Sequence, residues 1–467
     1  MTSTYDLIVI GAGAVGENVA DYATRAGLRV ALVESELVGG ECSYWACMPS
    51  KALLRSGSVL RAAKAVPGAA EAITGELDVA AVLRRRDSFT SGWDDSSQVE
   101  WVASTGIDLI RGHATLTGVK EVTVDGTAYT ATHAVVVATG SEAVVPDVPG
   151  LRDARPWTSR EATSAQEVPQ SLVVVGGGVV AVEMATAYRS FGTVVTLVAR
   201  SGLLGGMEPF AGELVGDALR ESGVDVRSGA SPTQVLRTEH GLVEVTLDDG
   251  STVVADEILV ATGRAARVGD LGLENVGVPT DGPLQVDDTL LVQGTDWLYG
   301  VGDVNGRALL THQGKYQARA AGEVIAARAQ GRDLQTQPWG AHVATADDAA
   351  VPQVTFSDPE VASVGLTEER ARERGIDVRV VDHDLAAVAG SALQSDSYVG
   401  RARIVVDQAR GVLVGATFVG PEVAELLQSA TIAIVGEVPI DRLWHAVPAY
   451  PTVSEVWLRL LDAYGRP

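Results

Sequence analysis

The two cysteines are the residues whose chemistry is easiest to infer from this sequence. Cys42 and Cys47 are the only cysteines among 467 residues, and they lie five positions apart. Five residues span a little over one helical turn, so on an irregular helix their Cα atoms can come within disulfide range. Two cysteines can neither form a disulfide scaffold nor complete a four-cysteine zinc site. We therefore predict a catalytic disulfide and no metal site.

A glycine-rich turn precedes the cysteines. Residues 5–10 are an apolar run with strand character, and Gly11, Gly13 and Gly16 follow with the spacing GxGxxG. A helical stretch comes next, and then a second strand that is closed by Glu34. In this pattern the first glycine permits a tight turn, the second lets the backbone approach a pyrophosphate, and the third lets helix and strand pack closely. The helix N-terminus would bind the phosphates, and Glu34 would accept hydrogen bonds from a ribose with two free hydroxyls.

The same unit returns 165 residues later along the chain. Residues 171–175 form the strand, and Gly176, Gly178 and Ala181 occupy the three turn positions. Each copy is also followed by an apolar strand that is closed by Ala-Thr-Gly. The repeat predicts two dinucleotide sites. The closing residues are Thr139 and Gly140 in the first copy and Gly263 in the second.

The two predicted sites differ in charge at the end of the second strand. The first copy has Glu34 there, whereas the second has Arg200. A carboxylate repels a ribose 2′-phosphate, and an arginine can pair with it through two hydrogen bonds. We therefore predict FAD at the first site and NADPH, in preference to NADH, at the second. The alternative is that Arg200 is only a solvated loop residue.

Composition and charge narrow the function classes. Lys and Arg number 36 against 60 Asp and Glu, and the net charge of −24 makes nucleic acid a poor ligand for this chain. No stretch of about 18 apolar residues runs without a charged or polar break, and the first residues lack the pattern of a signal peptide. We expect a cytoplasmic protein without membrane segments. Lysine occurs only at positions 51, 64, 120 and 315, so a lysine beside a motif is of interest.

Taken together, these motifs resemble the pyridine nucleotide–disulfide oxidoreductases of the glutathione reductase and lipoamide dehydrogenase type. The resemblance covers nearly the whole chain. It rests on the GxGxxG turn with Glu34, the CxxxxC pair followed by Pro-Ser-Lys, the sequence GGGVVAVE, the sequence YGVGD with Asp303, and the region from about Gln353 onward.

This resemblance implies the fold and the domain organisation. The fold class is α/β, with two Rossmann-like dinucleotide-binding domains, one inserted in the other, and a C-terminal α+β dimerisation domain. We place the FAD-binding domain at residues 1–147 and 266–340, the NAD(P)H-binding domain at 148–265, and the interface domain at 341–467. Three domains also agree with a length of 467 residues at roughly 150 residues per domain. The protein would be a homodimer in which the partner's C-terminal segment completes each active site.

The resemblance also implies roles for single residues. Cys47 would face the flavin as the charge-transfer thiolate, and Cys42 would be the thiol that exchanges with substrate. Lys51 would pair with Glu183 beside the flavin and the nicotinamide. Asp303 would hold the ribityl chain of FAD. A helix that begins near His312 would point its N-terminus towards the flavin.

Two segments depart from the pattern of disulfide-reducing relatives. Those relatives have a C-terminal His followed five residues later by Glu, and here Tyr450 precedes Glu455. A phenol with a pKa near 10 is a poor base at neutral pH, although it can donate a hydrogen bond. His445 could substitute if the chain folds back, or it could be a structural residue. Between the cysteines, Tyr44 and Trp45 are bulkier than usual, and they would either pack against helices or narrow the pocket.

Three functions remain open from the sequence. The first is an NADPH-dependent reductase of a small-molecule or protein disulfide. The second is a related flavoenzyme whose acceptor is a quinone, a metal ion or a persulfide. The third is a flavoprotein that senses redox state with little turnover.

Overall fold

The computed structural model describes residues 3–465. Its strands are β1 (Ser3–Ile10), β2 (Val30–Glu34), β3 (Asp108–Arg111), β4 (Ala114–Gly118), β5 (Glu121–Val124), β6 (Thr127–Val137), β7 (Ser141–Ala143), β8 (Ser171–Val175), β9 (Val194–Ala199), β10 (Asp225–Ser228), β11 (Pro232–Arg237), β12 (Val243–Leu247), β13 (Thr252–Ala255), β14 (Glu257–Val260), β15 (Arg264–Ala266), β16 (Leu298–Gly300), β17 (Pro352–Thr355), β18 (Glu360–Gly365), β19 (Val378–Asp384), β20 (Arg401–Asp407) and β21 (Val412–Gly420). Its α-helices are α1 (Ala14–Arg25), α2 (Gly40–Tyr44), α3 (Cys47–Lys64), α4 (Val79–Phe89), α5 (Ser96–Thr105), α6 (Ser159–Ser164), α7 (Val179–Ser190), α8 (Pro209–Glu221), α9 (Thr311–Ala329), α10 (Ala346–Ala349), α11 (Glu368–Glu373), α12 (Ala389–Ala392), α13 (Leu427–Val435), α14 (Ile440–Leu443) and α15 (Val456–Tyr464).

The chain forms two compact units. The first contains the residues up to 49, together with 87–143 and 264–348. The second contains 50–86 and 144–263, together with the residues from 349 onward.

The first unit is built on a seven-stranded sheet. Its order is β3-β2-β1-β6-β5-β4, and β16 also pairs with β6. Strands β3, β2, β1, β6 and β16 run parallel, whereas β4, β5 and β6 form an antiparallel meander. The central strand β1 carries an unbroken apolar run whose side chains are buried on both faces, which is typical of a parallel sheet covered by helices. Helices α1 and α9 pack together on this sheet and bury its core.

The second unit repeats the first arrangement and adds antiparallel sheets. The parallel order β10-β9-β8-β14 contains the second strand–glycine turn–helix, with α7 between β8 and β9. A three-stranded antiparallel sheet, β11-β12-β13, follows it in the chain. The C-terminal part is a five-stranded antiparallel sheet in the order β17-β18-β21-β20-β19, against which α13 and α15 pack.

We also searched the helices for a membrane span. Among residues 3–465, none of them combines the length and the apolar character that crossing a bilayer requires.

Candidate active site

The first glycine turn is so closely packed that a side chain at two of its three glycines would clash with the backbone. Gly11 has φ +100°, and a Cβ there would lie 2.5 Å from the carbonyl oxygen of Ala138. A Cβ on Gly16 would lie 1.8 Å from the carbonyl oxygen of Gly11. Gly13 caps the N-terminus of α1, and the nearest atom to a Cβ at this position is 3.8 Å away. The turn is therefore closely packed at Gly11 and Gly16 and less crowded at Gly13, where α1 begins.

The second turn repeats this contact in the second unit. Gly176 has φ +136°, and a Cβ there would lie 2.2 Å from the carbonyl oxygen of Ala261. Gly178 caps α7, and a Cβ on it would meet no atom within 4 Å. Ala181 is fully buried at the third position. In both turns the first glycine packs against the alanine carbonyl of an Ala-Thr-Gly segment. This close contact explains why each glycine turn is paired with such a segment.

The two Ala-Thr-Gly segments are held by hydrogen bonds to residues far away in the sequence. Thr139 Oγ1 donates to the carbonyl oxygen of Arg267 at 2.7 Å, and Gly140 has φ +75°. Gly263 has φ +137°, and its carbonyl oxygen accepts from the N–H of Val144 at 3.0 Å. Glycine is required at both positions because the left-handed region disfavours other residues.

Glu34 is the last residue of β2, and its side chain also binds backbone N–H groups of the first turn and of the following loop. Its Oε2 accepts from the N–H of Ala12 and its Oε1 from the N–H of Glu36, each at 2.7 Å. A carboxylate offers about four lone-pair sites, so two backbone bonds leave capacity for two hydroxyls.

The segment that carries the cysteines lies on this first turn. The N–H of Gly39 donates to the carbonyl oxygen of Ala12 at 2.8 Å, and a Cβ on Gly40 would lie 2.7 Å from the Cα of Gly13. Neither glycine belongs to the motifs from which the site is predicted. Their backbone-to-backbone contact holds the start of α2, and with it Cys42, beside the first turn.

The cysteines lie on two helices rather than on one irregular helix. Cys42 belongs to α2, and Cys47 is the first residue of α3. Both are thiols, and the hydrogen bond between them shows that the pair is in contact. Cys47 Sγ also lies 3.3 Å from Oγ1 of Thr311, the first residue of α9.

The environment of the two thiols is asymmetric. The hydrogen bond to Cys47 raises the pKa of Cys42, and burial raises it further. The Cys42 thiol can therefore stabilise a negative charge on Cys47 through this hydrogen bond. That charge would lie next to Thr311, at the positive end of the α9 dipole.

The aromatic pair between the cysteines divides into a core residue and a partly exposed one. Tyr44 is 1% exposed, and its hydroxyl donates to the carbonyl oxygen of Val38 at 3.1 Å. Trp93 donates its indole N–H to the Tyr44 carbonyl at 3.1 Å, so Tyr44 packs inside the first unit. Trp45 is half-buried, with its ring centroid 5.6 Å from that of Tyr44.

A partly buried ion pair lies in the second unit. Lys51 Nζ is 2.7 Å from Glu183 Oε2, and the Glu183 side chain is 3% exposed. The other carboxylate oxygen accepts from the N–H of Phe356 at 3.0 Å, and the ammonium lies 5.1 Å from the centre of that ring. Both carboxylate oxygens of Glu183 therefore have defined partners.

Asp303 takes part in a hydrogen-bond chain in the first unit. Ser141 Oγ donates to Asp303 Oδ2 at 2.6 Å, and Arg264 Nε donates to the same hydroxyl at 2.7 Å. Burial raises the pKa of Asp303 above its ordinary value. The nearby helix α9 opens at Thr311, and His312 is exposed in its first turn.

Arg200 is exposed at the end of β9, next to the second glycine turn. The following loop lies on that turn, since the N–H of Leu204 donates to the Gly177 carbonyl at 2.8 Å. A Cβ on Gly177 would also lie 3.1 Å from the Gly202 carbonyl oxygen. The loop contact keeps Arg200 near the N-terminus of α7.

The C-terminal candidates His445, Tyr450 and Glu455 are not hydrogen-bonded to one another among residues 3–465 of this chain. Tyr450 is 76% exposed, and His445 is also exposed. Glu455 is buried, and its Oε1 lies 2.5 Å from Arg459 Nη2. Its Oε2 is buried and has no hydrogen-bond partner within residues 3–465. Tyr450 therefore does not take the place of a histidine bonded to Glu455 within one chain.

Comparison with known families identifies the chain. The model of the family described as pyridine nucleotide-disulphide oxidoreductase matches residues 5–331, and the dimerisation domain of the same family matches residues 351–460. The chain belongs to the pyridine nucleotide-disulphide oxidoreductases. This confirms the predicted resemblance, the α/β fold with two Rossmann-like parts and a C-terminal dimerisation domain, and the assignment as a flavoprotein oxidoreductase. Enzymes of this family bind FAD and use NAD(P)H.

Individual relatives in this family cover the chain almost completely. A dihydrolipoyl dehydrogenase of Chlorobaculum tepidum is 34% identical, over 97% of this chain and 96% of its own length. A mercuric reductase of Staphylococcus aureus is 32% identical, over 97% of this chain and 81% of its own length. Among solved structures, the HOCl-induced flavoprotein disulfide reductase RclA from Escherichia coli is 25% identical and has a TM-score of 0.83, with 98% of this chain and 99% of that chain covered.

The predicted site residues of this chain fall into two groups, one in each compact unit. The cysteine pair, the first glycine turn and the Asp303 chain lie in the first unit, and the Lys51–Glu183 pair and the second turn lie in the second unit. No cluster of three or more His, Cys, Asp or Glu that could hold a metal ion occurs among residues 3–465.

Proposed function

We propose that this oxidoreductase passes two electrons from NADPH, through FAD and the Cys42–Cys47 pair, to a small-molecule or protein disulfide. The observation that carries the proposal is the contact between the two thiols, with Cys47 Sγ 3.3 Å from the first residue of α9. The chain contains only these two cysteines, so the pair is its sole thiol redox centre.

The residues around the first turn fit FAD. A Cβ on Gly13 would meet only the Cα of Gly40, at 3.8 Å, so a pyrophosphate can approach the N-terminus of α1 and accept from backbone N–H groups. Glu34 retains lone pairs for the ribose hydroxyls, and Asp303 is assigned to the ribityl chain. When bound, FAD would supply the two-electron carrier between the nicotinamide and the cysteines. Gly11, Gly16, Thr139, Gly140 and His312 complete the proposed FAD set.

The residues around the second turn fit a nicotinamide dinucleotide. Gly178 leaves open space before α7, and Gly176, Ala181 and Gly263 shape the turn. We assign Lys51 and Glu183 to the nicotinamide and flavin end of this path, where the carboxylate holds the ammonium in one place. We retain the division into an FAD-binding domain (1–147 and 266–340), an NAD(P)H-binding domain (148–265) and an interface domain (341–467) as part of the proposal.

The two cysteines supply both electrons that the substrate disulfide accepts, so this step needs no further reductant. The Cys42 thiolate attacks one sulfur of the substrate disulfide and releases the first substrate thiolate, which takes up a proton. The Cys47 thiolate then attacks Cys42 Sγ and releases the second substrate thiolate, which takes a proton from solvent, so the substrate gains two electrons and Cys42–Cys47 becomes the disulfide. Placement of the charge on Cys47 and the proton on Cys42 agrees with the raised pKa of Cys42.

One experiment tests the disulfide function directly. Cys42→Ser should reduce NADPH-driven cleavage of an aromatic disulfide dye to the background rate, because the attacking sulfur is gone. The Cys47 thiolate should still give a long-wavelength absorbance band in the FAD-loaded variant. Dye cleavage that survives Cys42→Ser would contradict the proposal, and the conservative variant Ser43→Ala serves as the control on the same helix.

The preference for NADPH depends on Arg200. Arg200→Ala should raise the KM for NADPH by about tenfold and leave the KM for NADH almost unchanged, because only NADPH carries the 2′-phosphate. Steady-state kinetics with both nucleotides measures this split. An unchanged KM for NADPH, or a wild-type enzyme that prefers NADH, would rule out this assignment.

The proposal includes a homodimer with shared sites. The matched dimerisation domain supports it, and so do Tyr450 and Val447, which are 76% and 85% exposed in the single chain. In the dimer we place Tyr450 and Glu455 of one chain at the cysteine pair of the other. Tyr450 would donate a hydrogen bond there rather than act as a base, and the exposed His445 remains the alternative proton carrier.

A second candidate is the reduction of an acceptor that is not a disulfide, such as a quinone, a metal ion or a persulfide. Tyr450 favours it, because loss of the C-terminal histidine does no harm when no thiol leaving group needs a proton. The Staphylococcus aureus relative is a mercuric reductase, but this chain has no cysteine besides Cys42 and Cys47 to relay a metal ion. Turnover of quinone by Cys42→Ser, together with no disulfide turnover by the wild type, would favour this candidate.

A further inference from the structure

Three carboxylates surround one largely buried arginine in the second unit, and the proposed function gives this arginine no part. Arg403 lies on β20, and its side chain is 14% exposed. Its Nε and Nη2 lie 2.8 and 2.9 Å from the two oxygens of Asp382 on β19. Its Nη1 lies 2.9 Å from Glu208 Oε2 and 3.1 Å from Glu368 Oε2. Of the three acids, Glu208 is the one that comes from the stretch containing the second glycine turn.

Glu208 joins the start of α8 to the C-terminal part of the unit. It is the residue immediately before α8, and its side chain is 2% exposed. Its Oε1 accepts from the N–H of Glu368 at 2.8 Å, while its Oε2 is bound by Arg403. Both oxygens therefore take these hydrogen bonds from the C-terminal part. Because a buried carboxylate that loses its cation is strongly unfavourable, this pair fixes the start of α8 against β20.

The start of α8 packs directly on the loop that follows Arg200. A Cβ on Gly212, in the first turn of α8, would lie 2.0 Å from the carbonyl oxygen of Leu203. The helix and the loop therefore meet backbone to backbone, with no side chain between them to absorb a shift. A displacement of the start of α8 must move the loop as well.

The loop has a backbone conformation that depends on its surroundings. Leu204 has φ +51° and is 4% exposed. A leucine keeps this left-handed conformation only where the neighbouring structure fixes it. One fixed point is the second glycine turn, where the N–H of Leu204 donates to the Gly177 carbonyl at 2.8 Å. The other is the start of α8, which Glu208 holds four residues further along the chain.

We propose that Arg403 is a positioning residue for the nucleotide site, which acts through Glu208 and the start of α8 to hold Arg200 where it pairs with the ribose 2′-phosphate of NADPH. The inference rests on the proposed function, since Arg200 must bind this phosphate for its position to matter. An arginine suits the role because its planar guanidinium binds carboxylates in a fixed geometry. The C-terminal sheet thereby contributes to the choice of nucleotide.

The test measures the dissociation constants of NADP⁺ and NAD⁺ for the oxidised, FAD-loaded enzyme by titration calorimetry. Glu208→Gln keeps the size of the side chain but removes the charge that Arg403 binds. It should weaken NADP⁺ binding by about tenfold, the effect of one charge-assisted hydrogen bond, because Arg200 is no longer held at the 2′-phosphate. NAD⁺ binding should be unchanged, since NAD⁺ lacks this phosphate.

A second variant keeps the positive charge at position 403. In Arg403→Lys, an ammonium replaces the guanidinium and cannot hold Asp382 and Glu208 together in the same fixed geometry. It should weaken NADP⁺ binding and spare NAD⁺ binding, as Glu208→Gln does. This variant provides the test if Glu208→Gln does not fold.

The background Arg200→Ala separates positioning of Arg200 from other effects. The side chain that Glu208 positions is then absent, so adding Glu208→Gln should change NADP⁺ affinity by less than about twofold. Glu213→Gln makes the same substitution at an exposed position of α8 and is the matched control, which should bind both nucleotides as the wild type does.

Three results would overturn the role of Arg403. They are wild-type NADP⁺ affinity in Glu208→Gln and Arg403→Lys, equal losses for NADP⁺ and NAD⁺, and an undiminished effect of Glu208→Gln in the Arg200→Ala background. Failure of the proposed nucleotide assignment would appear separately, as unchanged NADP⁺ binding in Arg200→Ala alone, and it would overturn this inference as well.

Discussion

Buried polar side chains join the first turns of α9 to Asp347 and to the loop that carries Asp303. The Asp347 side chain is 3% exposed and accepts from Gln313 Nε2 at 3.0 Å and from Gln317 Nε2 at 2.8 Å. Gln317 Oε1 in turn accepts from the N–H of Gly302 at 2.7 Å, just before Asp303. This chain of hydrogen bonds fixes the first turns of α9 relative to the loop that carries Asp303. Neither glutamine stands out in the sequence, since both lie among polar helix residues.

Asp347 gives a prediction about pH and stability. Burial raises its pKa from 3.8 to about 6, so the folded protein binds more protons than the unfolded chain between these values. Stability therefore falls as the pH rises from about 4 to 6, by about 3 kcal/mol from this group alone. Asp347→Asn should remove this part of the pH dependence and make the protein relatively more stable at pH 7.

Urea unfolding of the FAD-loaded protein at pH 4.5 and pH 7, followed by flavin fluorescence, measures the effect of this substitution. Asp348→Asn, at the exposed neighbouring position, is the control and should keep the wild-type dependence. Parallel stability curves for Asp347→Asn and the wild type would show that Asp347 does not titrate in this range.

At the scale of elements, the two strand–glycine turn–helix units are shaped by the same close backbone contact. In each unit the first glycine lies against an alanine carbonyl from a distant strand end, Ala138 or Ala261. The spacing of the glycines predicts the turn because its requirements are local. The position of the carbonyl follows from the parallel pairing of β1 with β6 and of β8 with β14, which brings together residues far apart in the chain.

The second turn allows folding and binding to be tested separately. Gly178→Ala adds a methyl group in open space at an ordinary φ of −84°, so it should leave the melting temperature unchanged. The methyl group would obstruct the pyrophosphate and should raise the KM for NADPH by about tenfold or more. Gly176→Ala should instead lower the melting temperature, because its Cβ meets a backbone oxygen at a positive φ.

Thermal melts, NADPH kinetics and FAD content together separate these two effects. Both variants should retain FAD, since the first turn is unchanged. Equal melting temperatures for Gly176→Ala and the wild type would contradict the steric explanation of the turn.

At the scale of the whole molecule, the dimer is the feature to test. The C-terminal part exposes large apolar side chains, among them Ile432 on α13 at 59% and Val447 at 85%. Ile432→Asp should shift the protein towards monomer, because a charge would lose its hydration when an apolar interface closes over it. Disulfide reduction should fall with the dimer fraction if the partner's segment completes each site.

Sedimentation velocity combined with the disulfide assay measures this relationship. Val119→Asp is the control, because Val119 is similarly exposed at 64% but lies in the first unit between β4 and β5. A fully active Ile432→Asp monomer would overturn the shared site.

Sequence alone determined the features whose physics is local. The glycine spacings, the acid and the arginine at the two strand ends, and the five-residue separation of the cysteines predicted two dinucleotide units and a dithiol, and the family comparison confirmed this class of enzyme. The resemblance also implied that Lys51 pairs with Glu183, and the structure has their charged atoms 2.7 Å apart.

Only the tertiary structure decided which distant groups meet. The contact of Cys47 with Thr311 joins residues 264 positions apart, and the hydrogen bond from Gln317 to Asp347 joins α9 to α10. No spacing rule predicts such contacts, because they depend on how strands pair and how helices pack. The same reason places Tyr44 in the core and leaves Tyr450 exposed, although both tyrosines belong to segments of the proposed active site.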